Sequence, residues 1–338
     1  MNCNNRIYFL IFTLLLSVLL LIYFNKYFEF NSAKVGNEEG RDEKKYEENK
    51  SSDIEQPKQI SLDKNPSLNE ILMQDKSWSE IFKVSQQQHK IKPEILIETI
   101  RFMIQEVDEL DPKLIEFVKK LIAPPSNKPI NLADKKRKDF SQSGQSIYID
   151  ELLGKMQNGF VVEAGALDGE TFSNSLYFEL ERNWSGILIE PIPFAYESIK
   201  NKNRKMYSLN ACIARKRPLV AKFKIAGLTG LSGRDSEMSE SHQKWVGNNF
   251  QYIYVPCFSL NTILKAINIS KVDFFSLDLE GGEWDVLSSL DFNNIDYRSF
   301  VIEHNRDKER RDKMTNFLLQ NNYNLTLTTE LDIFFIKK

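Results

Sequence analysis

Residues 159–191 read GFVVEAGALDGETFSNSLYFELERNWSGILIEP: an apolar run, an acidic turn bearing glycines, a helical stretch, and a second apolar run ending in an acid. Phe160, Val161 and Val162 predict a short buried strand. Glu163, Gly165 and Gly169 then make a turn in which the absent side chains let backbone amides approach a ligand. A helix opening near Ser173 points its free amides at the same ligand. Ile187 to Ile189 predict the second strand, with Glu190 at its carboxyl end, where an acid can hydrogen-bond both ribose hydroxyls of a nucleoside.

The spacing separates two cofactors. Dinucleotide sites use G-x-G-x-x-G to seat a pyrophosphate, whereas here the glycines are four apart and the residue two before the first is acidic, with nothing basic nearby. An acidic turn suits a cationic sulfonium and its amino group, so S-adenosylmethionine is the expected cofactor.

Outward from this stretch, FSQSGQSIYIDELL at 140–153, KNRK at 202–205, FFSLDLEGGEWDVL at 274–287 and VIEHN at 301–305 complete an ordered set of motifs. Together they resemble the FkbM-type methyltransferases, and most closely their animal, membrane-anchored Star-like branch, over roughly residues 110–338. The resemblance implies methyl transfer to a hydroxyl acceptor such as a glycan or another secretory product. It also implies an alternative, since the Star-like branch is associated with growth-factor export: a catalytically silent protein that binds secretory cargo and regulates its ER, Golgi or endosomal trafficking. By resemblance and position, Glu163, Gly165, Ala166 and Gly169 fall to the first cofactor turn and Glu190 to the ribose, while Asn210 and Ala211 edge the adenine.

Apolar runs at Tyr207 to Ile213, Val272 to Asp278, Ser299 to His304, Leu325 to Thr329 and Ile333 to Ile336 alternate with helical patterns at Phe194 to Lys200, Thr262 to Ile267, Glu283 to Leu290 and Lys308 to Gln320. The alternation predicts an α/β fold: a doubly wound, Rossmann-like class I methyltransferase sheet with ligands at the strands' carboxyl ends and a C-terminal antiparallel hairpin. Gly227 to Asn249 shows no clear period and reads as a loop over the pocket.

Asp278, Glu280, Glu303 and His304 end adjacent strands, which makes them the candidate catalytic groups. His304 can act as general base oriented by Asp278 or Glu303. The other arrangement has Asp278 with Glu303, His304 or Asn305 holding a divalent metal; it is the lesser expectation, and no metal ligand is assigned. Asp278 and Glu280 can also merely cap the helix after Gly281-Gly282, and Asp168 can serve its own turn. Trp184, Trp245 and Trp284 read as packing residues, with Trp245 the exception to test because it lies in the irregular loop. The basic cluster of Lys200, Lys202, Arg204, Lys205, Arg215, Lys216 and Arg217 reads as a solvated face, or else as a grip for an anionic glycan or phosphate.

Ile7 to Phe24 is an 18-residue apolar run, about 27 Å as a helix, which just spans a secretory-pathway bilayer. Asn25, Lys26, Tyr27 and Phe28 follow it where a cleaved signal would carry small residues, so an uncleaved anchor is expected. Arg6 before the span favours a cytoplasmic N-terminus and a luminal body on a type II, ER/Golgi or endosomal protein. The expected organisation is a tail at 1–6, the anchor at 7–24, a disordered tether at 25–67, a helical stem at 68–138 and the methyltransferase-like domain at 139–338. Within the stem, apolar residues from Leu96 to Leu121 keep a helical period, and Asp111-Pro112 divides them into two helices that form either a dimerising coil or packing for their own domain. A net charge of −2, from 45 basic and 47 acidic residues, gives no field to attract nucleic acid. Cys212 and Cys257 can pair in an oxidising lumen or remain separate thiols, and sequons stand at Asn49, Asn183, Asn268 and Asn324.

Overall fold

The computed structural model describes residues 91–227, 229–238, 243–244, 246 and 250–338. The expected anchor and tether, Asn49 and Trp245 lie outside the described residues. No helix among the described residues is long and apolar enough to cross a membrane.

Four apolar runs form the parallel centre of a seven-stranded sheet: β1 (Phe160–Ala164), β2 (Ser185–Ile189), β9 (Phe274–Leu277) and β11 (Ser299–Glu303). Beside them lie β3 (Tyr207–Leu209), parallel to β2, and β13 (Asp332–Lys337), antiparallel to β11 and paired in turn with β12 (Tyr323–Thr328). The order β12-β13-β11-β9-β1-β2-β3 puts the first strand inside the sheet, between β9 and β2, where the chain reverses its direction of travel across the sheet.

Side-chain alternation explains why these segments read as continuous apolar runs. Val162, Ile187, Phe275, Phe300 and Phe335 point into one core, while Val161, Leu188, Phe274, Val301 and Phe334 point into the other. Both faces are covered, and each such burial contributes about 1.5–3 kcal/mol.

The helices follow their sequence signals. Asp111 caps α2 (Pro112–Leu121), accepting from the amides of Lys113 and Leu114, and separates it from α1 (Pro93–Ile104). Both pack against the domain itself: Leu114 and Val118 enter the core of the large sheet, and Leu96 and Ile100 that of a second sheet. The other helices are α3 (Gln145–Leu152), α4 (Leu176–Arg182), α5 (Pro193–Lys202), α6 (Leu260–Ala266), α7 (Glu283–Leu287) and α8 (Lys308–Gln320). The opening expected near Ser173 falls three residues later, because the Ser173 and Ser175 hydroxyls are held by Glu163.

One expectation needs correction. The run Tyr207 to Ile213 is two strands: after β3 the chain leaves the large sheet, and Cys212–Ala214 (β4) enters a second one of order β4-β7-β5-β6. That sheet contains β5 (Leu219–Ala226), β6 (Gly233–Arg234) and β7 (Phe250–Ser259), of which β5 and β7 carried no clear sequence signal. Cys212 and Cys257 face each other across the parallel β4–β7 pair and are joined by a disulfide, with Cα atoms 4.4 Å apart.

Candidate active site

A cavity of about 610 Å³ opens at the carboxyl ends of β1, β2, β9 and β11. Among the anticipated residues, Glu163, Gly165, Ala166, Glu190, Ala211, Asp278, Glu280 and Glu303 line it. Gly169, Asn210 and His304 do not.

Gly165 is required by a close backbone approach. It sits at φ +84°, and a Cβ there would lie 1.9 Å from the carbonyl oxygen of Asp278, so its first neighbour is the tip of β9 and not a ligand. Gly169 adopts φ +77°, packs on Ile199 and gives its carbonyl to Arg204. Asp168 serves the turn, accepting from the amides of Glu170 and Thr171 at 2.9 and 2.6 Å.

Glu163 is 3% exposed and braces the loop that follows it. One carboxylate oxygen accepts from the Ser173 and Ser175 hydroxyls at 3.0 and 2.5 Å, and the other from the Asn174 amide at 2.5 Å. Burial pushes its pKa up, and nearby Arg204 opposes that rise. Glu190 has a matching role at the end of β2: its oxygens accept from the amides of Leu167 and Ile192, both at 2.8 Å. Burial raises its pKa to about 8 against those two hydrogen bonds. Asn210 turns its amide onto the carbonyls of Glu190 and Pro191, so it clamps the strand end and leaves the cavity wall to Ala211.

Asp278, Glu280 and Glu303 bring carboxylate oxygens within 4.8 Å of one another, a set that could hold a divalent cation or share protons. Asn305 donates to Glu280 at 3.0 Å and to Glu303 at 2.9 Å. Burial first, and then mutual repulsion, pushes Glu280 and Glu303 above the usual carboxylate range; Asp278 moves the same way, chiefly through burial. Neither Asp278 nor Glu280 caps the next helix. Glu283 does the local bracing, accepting from the amides of Leu279 and Gly281 at 2.8 and 3.1 Å.

His304 is separated from the acids it was expected to join. Side chains alternate along an extended strand end, so the residue after Glu303 points away from the cavity. The ring is 3% exposed, and neither nitrogen has a hydrogen-bond partner among the described residues. His304 therefore stands outside the cavity that the other three candidates line.

Asp332, Asn174, Arg234 and Glu237 are among the lining residues that carry no site expectation from the sequence. Asp332 faces Glu303 in the β11–β13 register, is held by Gln145 Nε2 at 2.9 Å, and has its pKa raised to about 6 by burial. Its one sequence signal was an acid immediately before the apolar run Ile333 to Ile336. Asn174 presents a buried Oδ1 that has no partner among the described residues. Arg234 and Glu237, an ion pair from the irregular stretch, form the far wall with the turn Thr229–Leu231. Strain collects here as well: the lining residues Leu167, Phe172 and Glu280 all have positive φ, at 49°, 57° and 56°.

Three members of the basic cluster are structural, and Lys200, Arg215, Lys216 and Arg217 are exposed. Arg204 pairs with Glu179 at 2.6 Å with both side chains almost wholly buried, Lys202 pairs with Glu170, and Lys205 donates to the carbonyl of Ser126 at 2.9 Å. Trp184 packs on Phe178 and donates to the Met156 carbonyl, and Trp284 packs on Phe317.

No curated protein matches the sequence. Solved structures similar to the chain include precorrin-6y C5,15-methyltransferase from Geobacter metallireducens GS-15, at 12% identity and TM-score 0.34, covering 62% of this chain and 94% of that one. Methyltransferase FkbM from Methylobacillus flagellatus KT shows 10% identity and TM-score 0.33, covering 76% and 58%. Human methyltransferase 10 domain containing protein shows 8% identity and TM-score 0.31, covering 67% and 96%. Residues 163–325, which hold most of the cavity's acids, match the model of the methyltransferase FkbM domain.

Proposed function

We propose that the domain is an S-adenosylmethionine-dependent O-methyltransferase, tethered to a secretory-pathway membrane by Ile7 to Phe24 and acting in the lumen on a hydroxyl acceptor such as a glycan. The observation that carries this reading is the convergence of Glu163, Glu190 and Asp278 on one cavity. The Cys212–Cys257 disulfide supports an oxidising compartment.

The residues present fit the cofactor. Among the described residues, eight carboxylic acids and one guanidinium line the cavity, a set suited to a sulfonium and an ammonium and unsuited to a diphosphate. The unpartnered Asn174 Oδ1 offers an acceptor for the ammonium, and Glu190 offers acceptors for ribose hydroxyls. When bound, the cofactor supplies an electrophilic methyl group on sulfur. Asp278, or Glu303 beside it, is placed to receive the proton of the acceptor hydroxyl, and burial, which raises both above the ordinary carboxylate range, makes the ionised form of either a stronger base.

Calorimetric titration of the detergent-solubilised full chain with S-adenosylmethionine tests the reading, and absence of heat at millimolar cofactor removes it. Asp278→Asn is expected to keep the affinity within about threefold (under ~1 kcal/mol) while stopping transfer of labelled methyl to neutral oligosaccharides. A second reading is favoured by the internal hydrogen bonding of Glu163 and Glu190, which holds the turns without a ligand. In it the fold is a rigid surface for secretory cargo, and coprecipitation with secreted proteins survives Asp278→Asn.

A further inference from the structure

Three sequons fall on described residues: Asn183-Trp184-Ser185, Asn268-Ile269-Ser270 and Asn324-Leu325-Thr326. In each the asparagine is exposed. Asn183 and Asn268 stand in left-handed turns, at φ 54° and 58°, just past the ends of α4 and α6. Helix termination by itself would explain an asparagine at these two positions. It does not explain the hydroxyl residue two places later, and Asn203, which ends α5 in the same conformation, is followed by Arg204 and Lys205. Asn324 terminates nothing: it lies in β12, an edge strand of the large sheet, next to Leu325, which is 40% exposed.

Strand register places all three at one end of the sheet. Asn183 precedes β2, whose first residue Ser185 pairs with Phe160 at the start of β1. Asn268 precedes Lys271–Val272 (β8), which leads into β9 and pairs with Asp296–Tyr297 (β10), the strand leading into β11. Asn324 pairs with Ile336, which pairs with Ser299 at the start of β11. These are the amino ends of the parallel strands, whereas the cavity lies at their carboxyl ends.

We propose that Asn183, Asn268 and Asn324 are N-glycosylation acceptors, carrying glycans on the rim of the domain opposite the cavity. In the reaction the asparagine Nδ2 forms a bond to the anomeric carbon of an oligosaccharide delivered on a lipid diphosphate. The anomeric carbon–oxygen bond to the diphosphate breaks, the amide loses one proton, and the lipid diphosphate leaves. Glycans on this rim cover backbone and edge strand without narrowing the mouth of the cavity. The inference rests on the luminal placement proposed above, which the Cys212–Cys257 disulfide supports independently of the sequons.

The test is expression of the full chain in mammalian cells with Asn49→Gln in the background, followed by peptide N-glycosidase treatment and, in parallel, protease protection of intact microsomes. The expected result is a protected domain that drops by three mobility steps on treatment, with Asn183→Gln, Asn268→Gln and Asn324→Gln each removing one step. The triple variant should bind S-adenosylmethionine as the parent does. A protected domain with no mobility change overturns the glycan proposal alone. An unprotected domain overturns it together with the luminal reading.

Discussion

The Cα of Gly165 approaches the Asp278 carbonyl so closely that the tips of β1 and β9 are in backbone contact, and a side chain of any size would push them apart. Gly165→Ala should therefore destabilise the domain by at least about 2 kcal/mol, combining positive-φ strain with a clash against backbone. Urea denaturation of variant and parent checks this. A midpoint unchanged by the alanine would mean that the two strand ends do not meet as described.

Glu190 is expected to separate stability from binding. Glu190→Ala leaves the buried amides of Leu167 and Ile192 without acceptors and should cost about 2–4 kcal/mol of stability. Glu190→Gln keeps a carbonyl acceptor and should be milder, while lowering cofactor affinity about tenfold (~1.4 kcal/mol). Calorimetry showing parental affinity for the glutamine variant would reject the ribose assignment.

Stability without cofactor should fall as pH rises. Glu190 and Asp332, raised by burial to about 8 and about 6, hold protons more tightly when folded than when unfolded. Their protonated contribution is complete below the ordinary carboxylate range and is lost as pH passes about 6 for Asp332 and about 8 for Glu190. Melting temperatures recorded from pH 5 to 9 should decline by several degrees, and Glu190→Gln should flatten the upper part of the curve. A curve rising through neutrality would contradict the burial of these acids.

Arg204 is the member of the basic cluster whose loss should matter most, and for structural reasons. Arg204→Met strands the buried Glu179 and frees the carbonyl of Gly169, at a cost of about 3–5 kcal/mol. By contrast, Lys200→Met, whose partner Glu197 is exposed to the same degree, should change stability by under ~0.5 kcal/mol. Equal melting temperatures for the two variants would overturn the distinction.

Sequence reading worked where chemistry was local. β1, β2, β9 and β11 are buried on both faces and read as apolar runs, and Asp111-Pro112 announced a helix start because cap and first turn are adjacent in sequence. β5 is hidden in the sequence because Lys222 and Lys224 interrupt it, their ammonium groups lying over the rings of Tyr252 and Phe250. β7 escaped because Pro256 argues against a central strand. At the site, strand-end acids were legible from their position, but whether a residue lines the cavity depends on side-chain direction and partner register. That is why His304 stands outside the cavity and Asp332 stands in its wall.

The Cys212–Cys257 bridge closes a loop with a sequence separation of 45. Its removal should cost about 4 kcal/mol by chain entropy. Denaturation with and without reductant measures this, and coincident transitions would show that the small sheet holds together unaided.

Cys212 lines the cavity, whereas Cys257 is fully buried and does not. Opening the bridge thus creates two chemically unequal thiols, one bordering the binding space and one sealed behind it. Alkylation of Cys212 then serves as an internal footprint: a molecule occupying the chamber shields that sulfur, and the degree of labelling reports occupancy before any acceptor has been identified.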